Sequence, residues 1–406
     1  MEKNKNINCF ILSNIINRFG DSVDLIAFMW LTYEITNSIL FTGIVAAFNG
    51  IPSIVLGVFS GFIADHWSKK KLIMIGDLAR GIIVLVIIVL FKIKLLNMPI
   101  LCVSTILIST FEIIAAPARR SMIPFLVEKD ELKKINSKLS TGKIIAQISG
   151  LALSGVIINS FGAISAVMID AITFFISFAL IYMIKFQDNS KEINKQYSSI
   201  LSEIKDSVRV ITKQNIIFKT TLMATFVNIF IGCFNVLSLS YCENILKNDS
   251  KGQSIINIAS ILGILTVSIL FSNIKEKIKI EKIIDIGFIG LGVSFLLFGI
   301  CQNNILAYLI AYGYGLATGC ITITSVTILH KNIPFNHMGK VMAVVSLTNE
   351  SSIPLGNLMA GILLRKIKIN TIFLGYGFII VVVCMLMIKI FDGYKNNDKL
   401  LDRDDS

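Results

Sequence analysis

Six carboxyl groups fall where charge is costly. Asp21, Asp24, Asp77, Glu112, Asp170 and Glu350 sit inside long apolar stretches, and two bases, Arg18 and Arg80, share that setting. An ionised side chain at a bilayer centre costs at least about 2.5–3.5 kcal/mol on insertion scales, so it must face a wet cavity, hold a proton or find a partner. Arg18 lies three residues from Asp21, and Arg80 three from Asp77, so each pair can meet on one helix face. Asp24, Glu112, Asp170 and Glu350 then have no evident basic partner within the same helix. Such a carboxyl can bind a proton in one conformation and release it in another, which is the chemistry of a proton-coupled carrier. The structural alternative is a hydrogen bond or ion pair across helices. The three histidines, His66, His330 and His337, fall at helix ends and are not placed for a relay at mid-membrane.

The surrounding sequence sets the elements that position these groups. Of 406 residues 54% are hydrophobic and 16% charged, against about 25% charged in an ordinary soluble domain. Runs such as Gly81–Phe91 alternate with short charged segments. A helix needs roughly 20 apolar residues to cross the hydrocarbon core. Only helices and closed barrels satisfy their backbone in lipid, and the short alternating segments of a barrel are absent. The pattern predicts an all-α membrane protein with twelve transmembrane helices, at 8–34, 39–63, 72–93, 98–121, 139–160, 162–186, 216–245, 253–273, 283–301, 304–329, 340–363 and 370–391. Met1–Arg18 does not read as a cleavable signal, because Asn14, Asn17 and Arg18 break its apolar run. The seven cysteines lack metal or disulfide spacing and read as small buried hydrophobes. No nucleophile–base constellation, metal cluster or phosphate loop is visible; Gly142-Lys143 has neither the upstream glycine nor the following hydroxyl. No cofactor is expected, and an enzyme is the least favoured class.

Charge sets the orientation. With both termini on the cytoplasmic side, 29 of the 38 lysines and arginines fall on that side and seven on the other. The net charge of +12 is therefore a topology signal rather than a nucleic-acid footprint. The expected organisation is a six-helix bundle over 1–186, a cytoplasmic linker over 187–215, a second bundle over 216–391 and a cytoplasmic tail over 392–406. In the linker Ile200, Leu201, Ile204, Val208 and Ile211 share one helical face, which suits a helix on the membrane surface or a solvated linker. The halves repeat weakly. Gly150 and Gly155 recur as Gly356 and Gly361 (offset 206), Ile123-Pro124-Phe125 as Ile333-Pro334-Phe335 (offset 210), and Asp77 as Asp285 (offset 208).

The segment after the second span carries the strongest local motif. It runs from Gly61 through Asp65 to Lys69 and Lys70. The glycine permits close helix approach, and the aspartate can pair with a base or cap a helix. This stretch resembles the loop signature of the major facilitator superfamily, with His66 and Ser68 replacing its usual basic residue and glycine. Three further segments resemble the exporter branch that contains macrolide-efflux and enterobactin-export proteins: Phe19-Gly20-Asp21 with Trp30 to Ser38, Asp77-Leu78-Ala79-Arg80, and Ala116 to Pro124. Gly150, Ser154 and Gly155 resemble the superfamily's antiporter motif, or equally simple close packing of helices.

The resemblance implies alternating access, proton-driven export and location in the cell membrane. It implies a cavity lined by spans 1, 4, 7 and 10. On that footing Asp24, Glu350, Glu112 and Asp21 are the proton-coupling candidates. Gly61, Asp65, Lys69, Lys70 and Arg80 form the conformational gate, and Phe28, Trp30, Phe226 and Phe230 are candidate cavity walls. Asp77 and Asp170, on outer spans, read as scaffold. The expected partners are a hydrophobic or amphipathic small molecule such as a drug, a macrolide or a siderophore, protons, and the lipid bilayer around a monomer. An importer of a neutral solute on the same fold is the competing reading.

Overall fold

The structure, a computed structural model, describes residues 2–127, 131–185, 200–273, 280–333 and 338–404. Among these residues there are thirteen helices and no strand: α1 (Glu2–Thr36), α2 (Ile39–His66), α3 (Lys69–Lys92), α4 (Met98–Leu126), α5 (Leu132–Phe161), α6 (Ala163–Tyr182), α7 (Ile200–Lys213), α8 (Asn215–Tyr241), α9 (Asp249–Asn273), α10 (Ile280–Ile300), α11 (Asn304–Asn332), α12 (Met338–Leu363) and α13 (Ile369–Asp404). Every helix but α7 has 20 or more residues, so the twelve expected spans and the linker helix each have a counterpart. Ten are long and apolar enough to cross a membrane by themselves. The other two are α1, whose apolar run is broken by Arg18, Asp21 and Asp24, and α12.

Turn chemistry explains the tight connections. Asn37 takes a left-handed φ of 49° to end α1, and Gly162 (φ 81°) alone separates α5 from α6. Asn97 and Asn303 cap α4 and α11, accepting from the Ile100 amide (3.2 Å) and from the Ile305 and Leu306 amides (2.9 and 3.2 Å).

The chain divides into two compact units. The first comprises Met1–Gln196, Gly232–Ile255 and Ile353–Ile362. Because lipid is as apolar as leucine, helices in a membrane associate through close contact of small residues. A Cβ on Gly20 of α1 would overlap the Thr173 hydroxyl of α6 and come within 2.6 Å of Asp170 Oδ1. One on Gly150 of α5 would lie 2.6 Å from the Phe19 carbonyl oxygen of α1. At the end nearest the N-terminus, Ile7, Phe10, Ile11, Ile73, Met122, Leu139 and Ile181 form one apolar cluster.

The second unit comprises Tyr197–Ile231, Ile256–Ser352 and Leu363–Ser406. Its core is aromatic: Phe295 packs against Phe230 (5.9 Å between ring centres), Phe373 (5.7 Å) and Tyr376 (6.3 Å). Ile211 of the amphipathic α7 is buried with Ile217, Leu329, Ile333, Val341 and Val345, whereas Val208 on the same helix is exposed.

Candidate functional site

Most of the charged groups singled out in the sequence converge within the first unit. Asn17, Asp21 and Asp24 follow one another along α1 at four- and three-residue steps, which puts them on one face. Arg80 of α3, only 5% exposed, reaches across to this face. Its Nη2 donates to Asp21 Oδ1 at 2.7 Å and lies 3.8 Å from Glu112 Oε2 of α4. The guanidinium also stacks over the Phe174 ring of α6 at 4.1 Å. Arg80 thus joins α1, α3, α4 and α6. Asp170, 1% exposed, faces α1 at Gly20, with Thr173 Oγ donating to its backbone oxygen at 2.7 Å. Asp24 lies one turn beyond Asp21. Its Oδ1 is buried and has no hydrogen-bond partner among the described residues.

A second charge cluster lies one turn nearer the start of α3. Arg119 Nη2 binds Asp77 Oδ1, Ser177 Oγ donates to Asp77 Oδ2 at 2.7 Å, and Ser13 and Ser177 share a hydrogen bond of 2.8 Å. Asp77 is 1% exposed. A buried carboxylate with a guanidinium and a hydroxyl is a satisfied structural joint.

The pairing within single helices expected from the sequence does not occur. Arg80 pairs with Asp21 rather than Asp77, and Asp77 pairs with Arg119. Arg80 and Asp77, though three residues apart, therefore serve different neighbours. Arg119, inside the span expected at 98–121, is also a third base within a spanning helix, and α4 continues past it to Leu126. Its signal lay in the Ala116–Pro124 motif at the end of that span.

The gate residues are placed in part. Gly61 and Asp65 fall in α2, but their surroundings lie outside the described residues. Lys70 Nζ donates to the Tyr182 and Ile184 carbonyls at 2.9 and 2.6 Å, capping the end of α6. Lys69 is 5% exposed with Nζ 5.1 Å from the Phe125 ring centre. Glu350 is an exposed residue of α12 in the second unit. Beside it, Asn349 accepts from Thr225 at 3.4 Å.

Of the candidate wall residues, Phe28 and Trp30 are buried in the first unit, and Trp30 Nε1 donates to Gln253 of α9 at 2.5 Å. Phe226 is half-buried and stacks edge-on to the buried Phe230 at 5.0 Å. Near Trp30, Tyr33 donates to Glu243 at 3.4 Å. The sequence reading had singled out neither Gln253 nor Glu243, because each pairs with a residue more than 200 positions away.

This end of the first unit is also closed by glycines. Ser250 Oγ of α9 donates to the Gly155 carbonyl of α5 at 3.1 Å. A Cβ on Gly361 of α12 would lie 3.2 Å from the Leu40 carbonyl and 3.3 Å from Gly43 Cα of α2. Asn357 Nδ2 donates to the Ala46 carbonyl at 3.2 Å. The repeated glycines Gly155 and Gly361 therefore occupy corresponding seams, α5 on α9 and α12 on α2.

The architecture is shared with known carriers. The chain superposes on the nucleoside transporter NupG with a TM-score of 0.76 at 15% identity, covering 95% of this chain and 99% of that one. It superposes on a peptide transporter of the POT type, in complex with alafosfalin, with a TM-score of 0.76 at 11% identity, covering 96% and 94%. In sequence it is 21% identical to the multidrug efflux pump Tap of Mycobacterium tuberculosis over 94% of this chain and 92% of that protein. It is 22% identical to the staphyloferrin A transporter of Staphylococcus aureus over 96% and 97%. A further relative is the uncharacterized MFS-type transporter YvqJ of Bacillus subtilis, 21% identical over 88% and 85%. The family model of the Major Facilitator Superfamily matches residues 10–357. With ten self-sufficient apolar spans among its described residues and its buried interhelical charges, this chain is a multi-pass membrane transporter belonging to the Major Facilitator Superfamily.

Proposed function

We propose that the protein exports amphipathic small molecules across the cell membrane in exchange for protons, working as a monomer with both termini in the cytoplasm. The carrying observation is the contrast between Asp21 and Asp24. Asp21 is held by Arg80 at 2.7 Å, while Asp24, one turn on, keeps a buried carboxyl oxygen with no hydrogen-bond partner among the described residues. An ionised oxygen in that setting costs far more than a protonated one. Opening the site to water reverses the balance, and a coupling group needs that reversal. The likeness to the efflux pump Tap and to the staphyloferrin A transporter supports the outward direction and a drug- or siderophore-like substrate. On this reading 1–186 and 216–391 act as two bundles, with the linker 187–215 and the tail 392–406 on the cytoplasmic side.

The test is accumulation of a fluorescent amphipathic drug in cells with and without the protein, each with and without an uncoupler. Export predicts lower accumulation with the protein and loss of the difference on uncoupling. Higher accumulation with the protein would instead favour import of a neutral solute.

A further inference from the structure

Three cations of the first unit lie on the side of the Asp21–Arg80 pair away from Trp30. Arg18 is half-buried on α1, Lys143 is half-buried on α5, and Arg120 is exposed on α4. Their helices converge. A Cβ on Gly142 would come within 2.9 Å of the Ile15 side chain, which seats the turn bearing Lys143 against the turn of α1 before Arg18. Arg119 Nη1 reaches Ser13 of α1 at 3.3 Å, which brings the end of α4 to the same level. Lys143 is close enough to Arg119, Arg18 and Arg120 to feel their charge, and it also feels that of Asp21.

The nearby carboxylates are already engaged. Asp21 is held by Arg80, Asp77 by Arg119, and Glu112 lies 3.8 Å from Arg80. Asp24 lies farther along, toward the Trp30 end, and Asp170 is buried against Gly20. Among the described residues Arg18, Arg120 and Lys143 form no ion pair. Cations within a spanning bundle are rare and face a cavity or a partner. Here they gather on three helices, and among the described residues the neighbouring carboxylates Asp21, Asp77 and Glu112 all have an arginine partner. Their arrangement suits a carboxylate or phosphate, which accepts several charge-assisted hydrogen bonds from arginine and lysine at once.

We propose that Arg18, Lys143 and Arg120 form a binding site for an anionic group, a carboxylate or phosphate, on the transported molecule. The substrate class is then an amphipathic organic anion. The site lies on the terminal side of the coupling carboxyls, so the molecule is loaded from that side while the Trp30–Gln253 end is closed. This inference rests on the transport reading above for the word substrate, and its test needs no gradient.

The experiment uses the purified full-length chain in phosphatidylcholine nanodiscs. The probes are dansylglycine, a fluorescent carboxylate, and dansylamide, its neutral counterpart. The wild-type chain should bind dansylglycine at least about tenfold more tightly than dansylamide. Arg18→Gln and Lys143→Gln should each remove that preference while leaving dansylamide binding unchanged, and Arg18→Lys should retain part of it. Unchanged dansylamide binding shows that the variants are folded. Equal affinity of the wild type for both probes would overturn the site, as would a preference that survives both glutamine substitutions. A lipid headgroup is the other source of the same chemistry. If adding phosphatidylglycerol to the nanodiscs abolishes the wild-type preference, the site belongs to lipid and the substrate assignment fails. Failure of the export reading would appear separately, as uncoupler-insensitive accumulation with this binding preference intact.

Discussion

The Ser250 hydroxyl donates to the Gly155 carbonyl at 3.1 Å, and a Cβ on Gly155 would lie 2.8 Å from the Cβ of Ser254. The two helices meet backbone to backbone, with no room for a side chain on α5. Any conformation that opens this end must separate them. Gly155→Leu should therefore shift the population toward the open form. Labelling of a cysteine placed at Trp30, by an impermeant maleimide applied from the side opposite the termini, should rise several-fold over the same cysteine with Gly155 intact. Unchanged labelling with normal protein levels would show that the seam does not control access.

Gly361→Leu should act in the same direction, because a Cβ there would lie 3.2 Å from the Leu40 carbonyl and 3.3 Å from Gly43 Cα of α2, a tight though looser approach than that at Gly155. The double variant Gly155→Leu with Gly361→Leu should label no less than either single one. Opposite responses of the two variants would refute the equivalence of the seams.

How far this was legible in the sequence follows from what each feature depends on. The twelve long helices are written in composition, since bilayer thickness sets a length that each apolar run must meet. The recurrence of Gly155 as Gly361 was visible as an offset of 206, and the structure gives it meaning as two matching seams. The charge pairing was not legible. Spacing of three suggested Asp77 with Arg80, but the choice between Asp77 and Asp21 depends on how α3 is rotated against α1 and α4. No local pattern records that rotation. The Trp30–Gln253 bond likewise joins residues that only the packing of distant segments brings together.

The buried pair Arg80–Asp21 should be energetically coupled. Removing one partner strands the other, so Arg80→Gln or Asp21→Asn alone should cost about 3–5 kcal/mol. The double variant should cost clearly less than the sum of the two. Glu112, 3.8 Å away, can take part of the charge when Asp21 is lost. Thermal unfolding of the four proteins in one detergent gives the cycle, and strict additivity would show that the pair is not coupled.

Lys70 should act on stability rather than on transport. It caps α6 through the Tyr182 and Ile184 carbonyls at a partly exposed position. Lys70→Met should cost about 0.3–1 kcal/mol, the ordinary worth of a cation at a helix C-terminus. Export per molecule of protein in the membrane should be unchanged. A large loss of export at equal protein amount would assign Lys70 to the gate instead.

The coupling group is the sharpest question. Exchange of protons for substrate needs a carboxyl whose proton is held in one conformation and lost in the other. Asp21 is tied to Arg80 and Asp77 to Arg119, so neither is free to serve without breaking an ion pair. Asp170 is 1% exposed and wedged against Gly20, where a neutral replacement should act mainly on folding or expression. Asp24 has the buried unpartnered oxygen, and Glu350 is an exposed carboxyl on α12. Asp24→Asn should therefore abolish substrate-driven proton movement in vesicles while substrate binding stays measurable in the same preparation. Glu350→Gln should do the same if the second unit shares the coupling. Asp170→Asn should lower the amount of folded protein and leave the exchange per molecule largely intact. If Asp24→Asn and Glu350→Gln both exchange protons for substrate at the wild-type rate, these two carboxyls are structural and proton coupling resides in another group.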